Sequence, residues 1–307
     1  MSVDLKKIST ESRNLNTMDI DVLPTIEILK KINCEDQKVA LAVELALPAI
    51  AKVVDKVYNA FLNGGRLIYM GAGTSGRIGI LDAVECPPTY GVDYDLVQCL
   101  MAGGQDAFVK AKEGAEDNRE LGKEDLINIK LSKQDIVIGI AASGRTPYVI
   151  GGINYAKMIG ATTCCITTSA NSVLEQICDL PIVALVGPEV ITGSTRMKSG
   201  TAQKMICNMI STASMIKMGK VYENLMIDVK ATNEKLVARS ISIICTLLEC
   251  DKEEAQRLLN KYQTVKKVLF HAFTGEENLV IINECLKQSY GNIRKAINEY
   301  RKANYEN

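Results

Sequence analysis

One histidine, His271, serves the whole 307-residue chain, and no Cys or His cluster has the spacing of metal ligands. That scarcity argues against a zinc site and against any triad built on histidine. The chain also lacks an excess of either charge, with 36 Lys+Arg against 36 Asp+Glu. A nucleic-acid or polyanion binder should carry a basic excess. No apolar run approaches the roughly 18–20 residues that span a bilayer. The opening MSVDLKKISTESRN has no apolar signal-peptide core. A cytoplasmic protein with no membrane and no nucleic-acid partner is expected. Its ten cysteines sit mostly in apolar runs, where free thiols act as small core residues.

With 47% hydrophobic residues the chain can bury a sizeable core, enough for one large domain and a small one. Residues 1–37 are mixed and polar and are read as an N-terminal arm, with coverage of a site as the alternative. Apolar positions at Val39, Val43, Leu47, Ile50, Val54, Val57 and Phe61 have helix period and predict a helix over 38–63. Pro48 is the position where it is expected to kink or divide. Short apolar runs then predict strands at 67–70, 96–101, 136–141, 162–167 and 182–186. Their alternation with helix-like stretches implies a parallel sheet in an α/β sandwich, spanning about 38–230. From about 231 strand signals stop, and 231–307 reads as a helical subdomain. Asp251–Glu254 and Thr274–Glu277 are its expected helix starts.

Ligands in such sheets bind beyond the carboxyl ends of the strands. Each of the first four strands is followed by a polar, glycine-rich patch: GAGTSGR, AGGQDA, ASGRTPY and TTSANS. The first matches G-x-G-x-x-G, but Pro87-Pro88 should stop its helix early, and the acid of a dinucleotide site is missing after the second strand. The Walker pattern fails too, because Arg77-Ile78 stands where Lys-Ser/Thr would. A structural turn needs the glycines but not Thr74, Ser75 and Arg77 together. A phosphate or sugar site fits better, at free helix N–H groups. Ser143, Gly144, Arg145 and Thr146 make a second such cradle, with Pro147 opening a helix.

Two glutamates draw notice. Glu85 lies in the otherwise uncharged AVECPP, where a partly dry setting suits acid–base work. Glu116 is not separable by local pattern from Glu113, Asp117 and Glu120. His271 is most simply a residue of the helical subdomain.

Taken together, the ordered blocks GAGTSGR, DAVECPPTYG, EGAED, GIAASGRTPYV and GPEVITGSTRMKSGTAQK resemble the N-acetylmuramic acid 6-phosphate etherases, a family with the sugar isomerase (SIS) fold. The resemblance covers roughly 5–300, and Thr10–Asn14 also fits. Leu15 where proline is usual and Ile78 where leucine is common are mild departures. The resemblance implies a three-layer αβα sandwich around a five-stranded parallel sheet, a homodimer, and a C-terminal part similar to a ubiquitin-associated domain. It implies cleavage of a D-lactyl ether with no cofactor and no metal. It places the two acid–base carboxylates at Glu85 and Glu116. Thr74, Ser75, Ser143, Gly144, Arg145 and Thr146, from the two cradles, are expected to hold the phosphate or sugar. Ser194, Thr195 and Lys198 are further candidates for that site. The competing readings are an aldose–ketose sugar-phosphate isomerase and a non-catalytic sugar-phosphate sensor.

Overall fold

The computed structural model describes residues 11–110, 112–228 and 234–305. Thr10 and the expected boundary at 230/231 lie outside the described residues. The chain forms two compact units, one of Met1–Val84 with Tyr94–Ser211 and the other of Glu85–Asp93 with Thr212–Asn307, as far as these are described.

In the first unit, two 3-10 turns, Leu15–Thr17 and Ile20–Val22, lead into α1, Thr25–Leu62. This helix begins well before residue 38, and over 25–37 its inner stripe is carried on by Glu35, one turn before Val39, while Ile26 and Leu29 stay exposed. It runs through Pro48. The carbonyl that Pro48 leaves without a donor belongs to Glu44, and both residues are exposed, so water can satisfy it. Of the seven expected core positions, all but Leu47 are buried, and Ala46 takes its place on the inner stripe.

Five strands follow: β1 (Leu67–Gly71), β2 (Val97–Met101), β3 (Ile136–Ile140), β4 (Thr162–Thr167) and β5 (Leu180–Val183). They make one sheet in the order β2-β1-β3-β4-β5, every neighbouring pair parallel. The fifth strand lies earlier than expected, at 180 rather than 182, because its register is set by β4. Helices α2 (Gly73–Tyr90), α3 (Asp106–Val109), α4 (Arg119–Asn128), α5 (Pro147–Ile159), α6 (Val173–Ile177) and α7 (Lys198–Lys217) complete the alternation. Successive strand side chains face opposite ways. Ile68, Met70, Val137 and Cys165 pack with Leu126 of α4 and Val149 and Ile153 of α5. On the other face α1 lies against β1, β3 and β5, and the Tyr69 hydroxyl donates to Asp82 of α2 at 2.9 Å. Both faces are therefore covered, which is why these strands read as apolar runs.

Pro87 and Pro88 do not end α2 early. They fall in its last turns, where each forfeits one helical donor, and the Gly91 amide still bonds the Pro87 carbonyl at 2.9 Å. The prolines therefore do not settle the choice between nucleotide and sugar phosphate.

The second unit holds a hairpin of β6 (Val221–Tyr222) and β7 (Leu225–Met226), which the sequence reading missed. Glu223, at φ 52°, supplies its left-handed turn. Helices α8 (Glu234–Leu248), α9 (Lys252–Tyr262), α10 (Val265–Thr274), α11 (Leu279–Gln288) and α12 (Ile293–Tyr305) close around Tyr262, Leu269 and Phe270. Asp251 caps α9 as expected, accepting from the Glu254 amide at 2.8 Å. Thr274–Glu277, expected to start a helix, instead ends one: Gly275 at φ 77° terminates α10, and Asn278 caps α11. His271 stacks on Tyr262, ring centroids 4.6 Å apart, and bonds the Glu276 carbonyl.

Candidate active site at the carboxyl ends of the strands

The turn from β1 into α2 is closed by glycines. A side chain at Gly71 would meet the Gly76 backbone at 2.6 Å, and Gly73 has φ +52°. The first helical bond is Gly76 N–H to the Ala72 carbonyl, which leaves the preceding amides at the helix start for a ligand. Ser75 donates to Gln203 of α7 at 2.9 Å.

The turn from β3 into α5 is fixed in a similar way. Gly144 has φ +62°, and any side chain there would strike Ser172. The Arg145 amide donates to Ser143 Oγ at 3.3 Å. Thr146 stands at the N-cap of α5 without using its hydroxyl as a cap.

The loop carrying Glu116 is tied to the same helix. The Tyr148 amide, in the first turn of α5, donates to the Glu116 carbonyl at 2.9 Å. Behind it α4 and α5 touch backbone to backbone. A Cβ at Gly122 would lie 2.0 Å from the Tyr148 carbonyl oxygen, and one at Gly151 equally close to that of Arg119. The Tyr148 hydroxyl donates to Asp125 of α4 at 2.6 Å.

A fourth segment, 187–197, is held from below. Buried Glu189 accepts from the amides of Lys198 and Ser199, at 2.9 Å each, and so caps α7. The Lys198 ammonium is buried against Glu35 of α1 at 2.7 Å. Asn14 donates to the Pro188 carbonyl and Thr17 to that of Val190. Asn14 and Thr17 thus tie the N-terminal segment to this loop.

These segments enclose a cavity of about 450 Å³. Thr74, Ser75, Glu116, Ser143, Arg145 and Thr146 line it, together with Thr195 and Glu11. A smaller cavity of about 220 Å³ shares Ala72, Gly73 and Glu116 with it.

Four expected site residues lie elsewhere. Gly144 is buried beneath its turn, and Ser194 precedes Thr195 without lining either cavity. Lys198 spends its charge on Glu35 rather than on the cavity. Glu85 is exposed on α2, twelve residues beyond Gly73, or about 18 Å along a helix of 1.5 Å rise per residue. Arg77, read as part of the phosphate loop, instead donates to the carbonyls of Phe108 at 2.7 Å and Ala107 at 2.9 Å.

Glu35, Glu189 and Gln203 were not singled out by sequence, and Glu11 only as part of the Thr10–Asn14 cluster. Glu35 did leave a trace, as a charge one helical turn before Val39 on the buried stripe of α1. Burial alone would raise its pKa. The bonds from Lys198, Lys38 and Asn16 outweigh burial and hold it down to about 2.

Known proteins resemble the chain along its whole length. The N-terminal SIS domain of glucokinase regulatory protein matches residues 49–157, the SIS domain matches 120–213, and the C-terminal lid domain of glucokinase regulatory protein matches 223–274. The N-acetylmuramic acid 6-phosphate etherase of Clostridium botulinum strain Langeland is 54% identical over 298 residues, 97% of this chain and 99% of the relative. The Vibrio atlanticus protein of the same name is 53% identical over 95% of this chain and 96% of its own length. With an SIS sheet, two glycine-closed cradles at one edge and this full-length likeness, the chain belongs to the N-acetylmuramic acid 6-phosphate etherase family.

Proposed function

We propose that this chain cleaves the D-lactyl ether of N-acetylmuramic acid 6-phosphate, giving N-acetylglucosamine 6-phosphate and D-lactate. The observation that carries the reading is the 54% identity, across 97% of the chain, to a relative named for that substrate. The cavity supports it, because hydroxyls, free amides and Arg145 at two helix starts suit a sugar phosphate. The setting would be recycling of cell-wall amino sugars in a bacterial cytoplasm.

An unactivated ether resists direct hydrolysis, and elimination offers an easier path. In the open-chain sugar the C1 aldehyde acidifies the hydrogen on C2. Glu116 takes that proton. The C3–O bond breaks with its electron pair going to lactate, and Glu85 protonates the leaving oxygen. Water then adds at C3 of the double bond, giving its proton to Glu85, while Glu116 returns a proton to C2. Both carboxylates end as they began. The two roles interchange without altering the balance.

Glu85 is not among the residues lining the cavity. Its helix face also carries Leu81 and Val84, each about half exposed. We therefore include a homodimer in the proposal, with Glu85 supplied to the sugar by the second copy. Lactate release from the muramic acid substrate is the direct test. Glu116→Gln should lose at least about a hundredfold in turnover while still binding N-acetylglucosamine 6-phosphate. In isotopic water the label should enter the C3 hydroxyl and deuterium should enter C2. Label in the lactate hydroxyl would mean attack on the lactyl carbon and would sink the elimination.

A further inference from the structure

We infer that the smaller cavity is a carboxylate subsite, that it receives the lactyl arm, and that Arg77 is its anchored cation; this rests on the etherase reading. The two cavities meet at Glu116, which lines both. A base that serves C2 must stand beside the C2–C3 bond. The phosphate end of the sugar then lies toward Arg145 and the helix starts, and the substituent on C3 lies toward the smaller cavity. That cavity is lined by Met101, Ala102 and Ala107, and by Arg77 and Lys112. About 220 Å³ is ample for a three-carbon acid.

Arg77 is built as a fixed cation. Its Nε and Nη2 donate to the carbonyls of Phe108 and Ala107, which sets the plane of the guanidinium. A guanidinium has five N–H donors, so three remain. Among the described residues no carboxylate pairs with Arg77. Lys112 adds a second cation, paired at 3.3 Å with exposed Asp106, a contact weak enough to exchange. Glu113 lines the cavity too, but is exposed on the same loop as Lys112. The acetamido group on C2 is the other substituent near this junction. It is neutral and needs no cation, whereas the lactyl carboxylate does. The apolar walls suit the lactyl methyl.

The test compares the free-acid substrate with its lactyl methyl ester. The ester keeps the phosphate, the acetamido group and the scissile ether. The wild-type chain should prefer the acid by about ten- to a hundredfold in kcat/KM, the range of a charge-assisted hydrogen bond. Arg77→Gln should shrink that preference to within about threefold. Lys112→Met, at an exposed position where folding is not at stake, should reduce it by a smaller factor. Inhibition by N-acetylglucosamine 6-phosphate, which has no lactyl arm, should stay within about twofold in both variants. An acid preference that survives in both variants overturns the inference. So does product inhibition that weakens in step with substrate use, which would assign the cavity to the acetamido group. Wild-type turnover indifferent to the ester also overturns it, and leaves the etherase reading standing. Absence of lactate release by the wild type overturns both.

Discussion

Replacing Glu35 by glutamine tests how the floor of the site is held. Lys198 Nζ and Glu35 Oε2 are 2.7 Å apart, with the two side chains 1% and 4% exposed. The glutamine would leave the Lys198 ammonium buried without a counter-charge. Removing one partner of a buried pair costs roughly 3–5 kcal/mol. The depression of the Glu35 carboxyl by Lys198, Lys38 and Asn16 together is of the same order. Lowering from 4.5 to about 2 corresponds to about 3 kcal/mol at neutral pH. A loss of that size should lower the melting temperature by roughly 6–20 °C, at about 2–4 °C per kcal/mol. The sign with pH follows from the depressed folded-state pKa. The stabilisation is complete above 4.5 and is lost as pH falls from there through about 2. Melts followed by circular dichroism should therefore show a constant gap between wild type and Glu35→Gln from pH 7 down to about 5, closing below that. Lys198→Met should cost less, because Glu35 keeps Lys38 and Asn16 as partners. The pair Glu35→Leu with Lys198→Met should recover much of the loss, since an apolar pair carries no desolvation penalty. A gap under about 1 kcal/mol at pH 7, or one that persists unchanged to pH 3, would refute the account of this pair as a buried, mutually dependent support.

Two glycine substitutions probe the positioning of the other segments. Gly144→Ala puts a Cβ 2.3 Å from Ser172 Oγ at a φ of +62°, and should cost about 1–3 kcal/mol in melts and raise KM at least about tenfold; normal values of both would show that the turn is not set by this glycine. Gly151→Ala drives α5 from the Arg119 carbonyl, 2.0 Å from the new Cβ. It should displace the Glu116 loop and lower kcat by roughly ten- to a hundredfold in a lactate-release assay, more than it weakens product binding; an equal loss in both would point to general unfolding.

The sequence by itself determined the sheet, the edge that carries the site, and the family. The strands could be read because strands covered on both faces must be continuous apolar runs, and their parallel order puts every following loop at one edge. The family was legible because several ordered blocks agree. Positions of charge within those blocks were less accessible. Arg77 follows a glycine loop and reads as a phosphate ligand, yet two of its nitrogens are held by carbonyls about thirty residues away, and it lines the smaller cavity rather than the larger one. Lys198 sits in a loop of hydroxyls and cations, yet its partner lies 163 residues earlier in the chain. Local pattern could not separate Glu116 from Glu113, Asp117 and Glu120. The fold distinguishes its segment by the Tyr148 amide on its carbonyl and by the glycine contacts of α4 with α5. Periodicity and turn chemistry act over a few residues and are written along the chain. The partner of a buried charge is chosen by what packing brings within hydrogen-bond reach, and only the tertiary structure decides that.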